Sequence, residues 1–595
     1  MRNQIDPRVG LVDINVHLPE SRSRACALRM KIFSHYASRR NGSKIGHRSW
    51  GQKQIRAKDN SMKMTPSCSM LRYATPILLA LCGFVGASAT DVVTYHNDIA
   101  RTGQNLQETI LTLSNVNVSQ FGKLLTLPVD SVIDAEPLYL STVSIPGQGT
   151  HNVVYAVTEN DSAYAFDADM GTLLWHTSVL GPGEMPSDTH GCGQITPTIG
   201  ITSTPVIDRK LGPHGTIFLV AMSKDSSGHY FQRIHGLDAA TGKEQRGSPV
   251  TVHAKYPGTG DDSLNGYVYF DPYQYAERQG LLLLNHVIYT AWTSHCDQRP
   301  YTAWVIGYSE TTGAQTSVLN LTPNGSEGAI WQAGAGMASD GSNIFLLQGN
   351  GTFDTTLNAQ GFPVNGDYGN GFVKLSTTNK QLAVADYFEM YNTVQESESD
   401  QDLGSGGTMV LPTQKDANGN PHYLAMGAGK DSHIYIVDRN NLGKFNPNND
   451  DAIYQEIDGA LFTGVFSMPA YYRGNVYYGP RKNNLLQFRF SNAKLSASPV
   501  STSTATFAYP GTTPSVSANG SQNGIVWAIE HSGPDVLHAY DASNLKNELY
   551  NSNQAANGRD QFGSASHFGT PMIVNGKVYV GTSNSVVVFG LLSGK

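Results

Sequence analysis

Two loops of this chain carry paired histidine and cysteine: Thr189-His190-Gly191-Cys192-Gly193 and Ser294-His295-Cys296-Asp297. Two thiolates and two imidazoles form a transition-metal ligand set, and the same two cysteines in an oxidising compartment form a disulfide. Both outcomes stay open at this stage. Other loops concentrate carboxylates and amides: Asp134-Ala135-Glu136, Glu159-Asn160-Asp161, Gly349-Asn350-Gly351, Asp400-Gln401-Asp402-Leu403 and Lys430-Asp431. Glu327-Gly-Ala-Ile-Trp331 adds an indole. Such groups can hold a hard cation, take a proton from a substrate, or supply a flat apolar platform. Each has a purely structural use as well. Asp402 before Leu-Gly-Ser-Gly-Gly suits an Asx turn, Asn350 between glycines suits a left-handed turn, and Trp331 suits packing. No Walker loop, nucleophile elbow or zinc-protease helix occurs.

What would bring these loops together is a repeat. Val153–Trp175 reads as strand, tight turn, strand, Asp-Ala-x-x-Gly turn, strand, closed by a tryptophan. Seven further copies follow, beginning near Ile217, Val287, Ile344, Tyr423, Val476, Ile525 and Val578. Most are preceded by one more short strand, as in Ser203-Thr-Pro-Val-Ile-Asp208 and Gly569-Thr-Pro-Met-Ile573. Four strands per unit make the blade of a β-propeller, which cannot bury both faces alone and so needs neighbours. The fold expected is all-β: an eight-bladed propeller of four-stranded antiparallel blades, with seven blades as the alternative count. The last copy stops at Leu592-Ser-Gly-Lys595 without an outer strand, and Phe121-Gly-Lys-Leu-Leu-Thr-Leu-Pro-Val129 supplies one from the other end. That strand is expected to close the ring and remove exposed edges. In such a ring, the loops between blades and those joining second to third strands share a face, so the polar loops converge on the axis.

The propeller is expected over 121–595, preceded by a polar lead-in at 90–120. There His96 and Arg101 read as ties between a terminal arm and the barrel. Residues 1–89 hold 15 Lys and Arg against 4 Asp and Glu; the remainder holds 26 against 44, a charge of −18. That acidic domain argues against a nucleic-acid partner. Residues 70–89 have the parts of a secretory signal peptide: Arg72, the apolar run Ile77–Val85, and Ala87-Ser-Ala89 before a cleavage point. The run is short for a membrane span, so the mature chain is expected to lack one and to be secreted or periplasmic. Its depth implies that 1–69 is a non-globular extension or a mis-assigned start, with translation beginning at Met62, Met64 or Met70. Cleavage leaves Cys192 and Cys296 as an even pair, a disulfide candidate. No Cys-x-x-Cys-His occurs, so no haem is expected.

The Asp-Ala-x-Thr-Gly-Lys turns and tryptophan closures resemble the PQQ-repeat propellers of the quinoprotein alcohol dehydrogenase-like superfamily, over about 121–595. The resemblance implies an oxidoreductase that oxidises an alcohol or sugar with pyrroloquinoline quinone (PQQ) and calcium. Carried residue by residue, it puts Asp297 and Asn350 on the metal, Trp331 beneath the quinone and Asp402 as catalytic base. Lys430, in Lys-Asp-Ser-His-Ile-Tyr-Ile-Val-Asp-Arg439, and Glu136 become cofactor contacts. The chain departs from that pattern in two places. A single Cys192 stands where the dehydrogenases have adjacent cysteines, with Cys296 one loop away, and no Arg follows Cys192. Related propellers keep the repeat without a cofactor, which gives the second reading: a cell-envelope scaffold binding a peptide or an envelope protein.

Overall fold

The computed structural model describes residues 90–592. The expected extension at 1–69 and the expected signal peptide at 70–89 lie outside them. The first blade shows why the repeat folds as it does. Its strands Leu138–Ile145, Gly149–Thr158, Ser162–Asp167 and Leu173–Ser178 pair antiparallel in sequence order. Every residue of Ser162–Asp167 is buried, because neighbouring blades cover both faces. Asp167 Oδ1 accepts the N–H groups of Asp169 and Met170, which forms the Asp-Ala-x-x-Gly turn. Trp175 then reaches the next blade, donating its indole N–H to the Ala239 carbonyl at 3.1 Å. A Cβ on Gly242 would sit 2.5 Å from the Trp175 ring, so the Asp-Ala-Ala-Thr-Gly turn of one blade needs glycine where it meets the tryptophan of the last.

Seven more sheets repeat the plan, with inner strands that include Val206–Asp208, Leu282–Leu284, Ala338–Ser339, Met409–Val410, Ala470–Tyr472, Ser515–Asn519 and Met572–Val574. The count is eight, not seven. The ring closes as its sequence implies: Phe121–Pro128 runs antiparallel to Ser585–Leu591, pairing Lys123 with Phe589 and Leu127 with Val586. The last blade therefore takes its outer strand from the start of the propeller. Among the described residues helix is confined to short pieces, of which Thr393–Glu398 precedes the Asp400–Asp402 loop. Among the described residues no helix is long and apolar enough to cross a membrane.

The lead-in takes a path that its composition does not announce. Residues 92–105 run past the inner strands in turn. The carbonyls of Val92, Val93, Ile99, Ala100, Thr102 and Gly103 accept N–H groups from Tyr139, Ile207, Ser339, Val410, Tyr471 and Val516, one blade after another. The Arg101 guanidinium reaches the third blade through the Leu281 carbonyl, and Asn105 reaches the eighth through that of Ile573. An arm bonded to the inner strand of every blade lies on the axis. Arg101 is completely buried and also bonds Thr94 Oγ1 and the carbonyls of Tyr95 and Met337, so every direction of its charge is met.

Candidate active site

The polar loops meet at one cavity. Asp297, Trp331, Asn350, Asp402 and Lys430 all line it, together with Gln194, Arg278, Phe466, Tyr509 and Phe568. Asp297, Asn350 and Lys430 stand in turns that follow the second strands of blades 3, 4 and 5. Trp331 and Asp402 stand in the loops that enter blades 4 and 5.

Local packing fixes each group. Trp331 lies against the backbone of the Gly-Asn-Gly loop, where a Cβ on Gly349 would come within 2.7 Å of the indole. Asn350 donates through Nδ2 to Asp400 at 2.7 Å, while its Oδ1 is buried without a partner. The Asp402 carbonyl accepts the Lys430 N–H at 2.9 Å, locking two loops together at the backbone. Lys430 Nζ sits 2.5 Å from Asp402 Oδ1. That contact is an ion pair without hydrogen-bond alignment, since the same oxygen has no aligned donor. Lys430 also pairs with Asp400, whose side chain is 69% exposed against 3% for Asp402. Tyr301 donates its hydroxyl to Asp297 at 2.9 Å.

Two carboxylates, Asp400 and Asp402, share the Lys430 ammonium, and its charge also reaches Asp297. Burial pushes Asp402 up to about 6, with Lys430 pulling the other way. Burial also raises Asp297. Burial alone would lower Lys430, but the charges of Asp402 and Asp400 outweigh it and raise it. Unpartnered carbonyl and carboxylate oxygens, on side chains whose pKa burial raises, are the electrostatics of an oxygen-donor cation cradle.

Arg278 is the residue that motif reading did not supply. It stands just past the inner strand Tyr275–Glu277, buried, with its guanidinium over the Phe568 ring at 4.1 Å and donating to Gln194 Oε1 at 2.9 Å. Desolvation lowers its pKa. A buried guanidinium with a neutral partner suits an anionic ligand.

Cys192 and Cys296 are joined by a disulfide across 104 residues. The sulfurs are therefore bonded to each other and offer no thiolates to a metal. The histidines of the same loops, His190 and His295, stack with ring centroids 4.1 Å apart, and burial lowers both, His295 to about 3. The disulfide lines a small recess with Trp331, Arg278 and Gln194, so it borders the main cavity.

Glu136 is not among the residues lining the cavity. Its carboxylate turns to the axial arm and accepts the His96 N–H at 2.6 Å. Burial pushes it up to about 8, against the pull of the His96 N–H and of Arg101. The unfolded chain releases this proton near 4.5 and the folded one near 8, so between those values the folded state binds the extra proton. Stability must then fall as pH rises through that window, by up to about 1.4 kcal/mol per pH unit from this group, and level off above it. Glu136→Gln keeps an acceptor for His96 and removes the titration. Thermal melts from pH 5 to 8 should show a smaller loss of Tm in the variant than in wild type. Equal losses would remove Glu136 as the source.

The eight-bladed fold is shared with solved alcohol and methanol dehydrogenases. Among solved structures, the quinohemoprotein alcohol dehydrogenase of Comamonas testosteroni superimposes with a TM-score of 0.57 at 14% identity, covering 86% of this chain and 82% of its own. A quinohemoprotein alcohol dehydrogenase of Pseudomonas putida HK5 gives 0.55 at 13%, over 85% and 81%. A europium-containing methanol dehydrogenase gives 0.55 at 12%, over 84% and 98%. No protein-family model matches the sequence, and no curated protein matches it.

Proposed function

We propose that the chain is an exported oxidoreductase of the quinoprotein type, oxidising a small alcohol or sugar with PQQ and a hard cation in the axial cavity. The observation that carries this is the convergence of Asp297, Asn350, Asp402, Lys430, Trp331 and Arg278 on a single cavity. The residues fit the groups. Asp297 and the orphaned Asn350 Oδ1 offer oxygen donors of the kind calcium requires, and Asp402 is left for the proton. The number of carboxylates also suits a cation of higher charge, and one structural neighbour is named for europium. Trp331 offers a flat face and Arg278 an anion-seeking guanidinium for a planar, acidic quinone.

When bound, the quinone would accept two electrons from the alcohol carbon, with the cation polarising its carbonyl. The protein's own part is proton transfer and positioning. Asp402 would take the hydroxyl proton on a carboxylate oxygen. A base poised near 6 is stronger than a surface aspartate, and Lys430 keeps it ionised at neutral pH. The half-buried Phe466 and Phe568 and the rim residue Tyr509 would border the bound alcohol and limit water.

The test is titration of the purified protein with PQQ in calcium, and separately in europium, followed by the quinone absorbance and a dye-linked alcohol assay. Wild type should bind one quinone, and Arg278→Leu should weaken binding at least tenfold, about 1.4 kcal/mol. Failure of wild type to bind PQQ with either cation would end this reading.

A further inference from the structure

A second cluster of ligating side chains lies away from the axial cavity. Ligand atoms of His433, Glu456 and Asp458 all come within 4.8 Å of one another. His433 stands between the other two, with Nδ1 2.9 Å from Glu456 and Nε2 2.9 Å from Asp458. The recess they border is also lined by Glu396, Asp450, Asn448 and Asn449, and by no lysine or arginine. Four carboxylates therefore face one imidazole.

An ordinary imidazolium bridge would satisfy His433, Glu456 and Asp458, but it leaves Glu396 unexplained. Glu396 is only 8% exposed, lines the recess, and has its Oε2 buried without a hydrogen-bond partner. Asn392 satisfies only the other oxygen. Glu396 Oε2 is thus a buried carboxylate oxygen left without a partner on the wall of an acidic recess whose one basic side chain is His433.

We propose that this recess is a divalent-cation site, ligated by His433, Glu456 and Asp458, whose ligand atoms already lie within 4.8 Å of one another, and joined by Glu396 from the wall of the same recess. One nitrogen among carboxylate oxygens suits a first-row cation of the manganese type better than calcium. The site has a structural consequence. Glu396 belongs to the helix Thr393–Glu398, which leads into Asp400–Asp402, and His433 follows Lys430 by three residues. A cation here ties together the two segments that carry the axial ion pair. The inference does not depend on the chemistry proposed for the axial cavity.

The experiment uses the full chain, stripped with chelator and titrated with Mn²⁺, free Mn²⁺ being read by electron paramagnetic resonance. Asp297→Asn serves as the background, to weaken binding at the axial cavity. In that background one equivalent should bind, and adding His433→Gln, Asp458→Asn or Glu396→Gln should each weaken it at least tenfold. His433 and Asp458 are partly exposed, so those two variants should melt with the parent when no metal is present. No bound Mn²⁺, or binding unchanged by all three substitutions, overturns the site. Calcium that binds more tightly than Mn²⁺ and is indifferent to His433→Gln overturns the nitrogen ligand, and with it the metal class.

Discussion

Asp402→Asn is expected to lower kcat by about 100- to 10,000-fold, the range for losing a general base, while quinone binding changes only a few-fold. The substitution keeps size and polarity, and Lys430 retains Asp400 as a counter-charge, so the fold survives. Asp400→Asn makes the comparison. Asp400 touches the same ammonium but is largely exposed, and its loss should cost less than tenfold. If the two variants lose activity equally, the effect belongs to the charge around Lys430 and not to a base. If Asp402→Asn turns over like wild type, the proton goes elsewhere. The split between kcat and quinone affinity is what separates proton transfer from loss of a cation ligand.

The residues legible in advance are those whose position the repeat dictates. Asp297, Asn350 and Lys430 follow second strands, while Trp331 and Asp402 precede inner ones, so counting blades placed all five on one face. The ring closure was legible for the same reason: a missing strand at one end and a spare strand at the other. Arg278 had no such marker. Tyr-Ala-Glu-Arg-Gln belongs to no motif, and only the tertiary stack on Phe568, from a blade five further round, turns its guanidinium toward the cavity. The axial arm escaped for a different reason. Its bonds to the blades are made mostly by backbone carbonyls, which every residue owns, so residues 92–105 carry no hydrophobic period to read. Glu136 shows the limit of loop counting. It lies two residues beyond Asp134 in a loop of the right face, yet its carboxylate points down the axis to His96.

Closing the ring with a strand from the other end of the propeller concentrates stability at one seam, and Phe121→Ala should expose it. Phe121 is completely buried. Its ring meets Tyr550 edge-on at 5.0 Å, Trp527 at 5.4 Å and Phe589 at 6.4 Å, so it joins the seventh blade to the eighth as well as strand to strand. Its carbonyl accepts from Arg559, and the next N–H but one, from Lys123, donates to Asp560. Truncating a phenylalanine in such a setting costs about 3–5 kcal/mol, because the aromatic neighbours cannot collapse into the space. Leu125, only partly buried in the same strand, should cost about 1 kcal/mol as alanine. Urea midpoints of the two variants measure the difference. The larger loss should come with release of the strand to protease near 121–128, since an eighth blade without its outer strand keeps three strands and an open edge. A Phe121→Ala protein that unfolds at the wild-type midpoint would mean that the blades hold one another without the seam. The rigidity of the axial cavity would then have to come from the arm bonded through Arg101 instead.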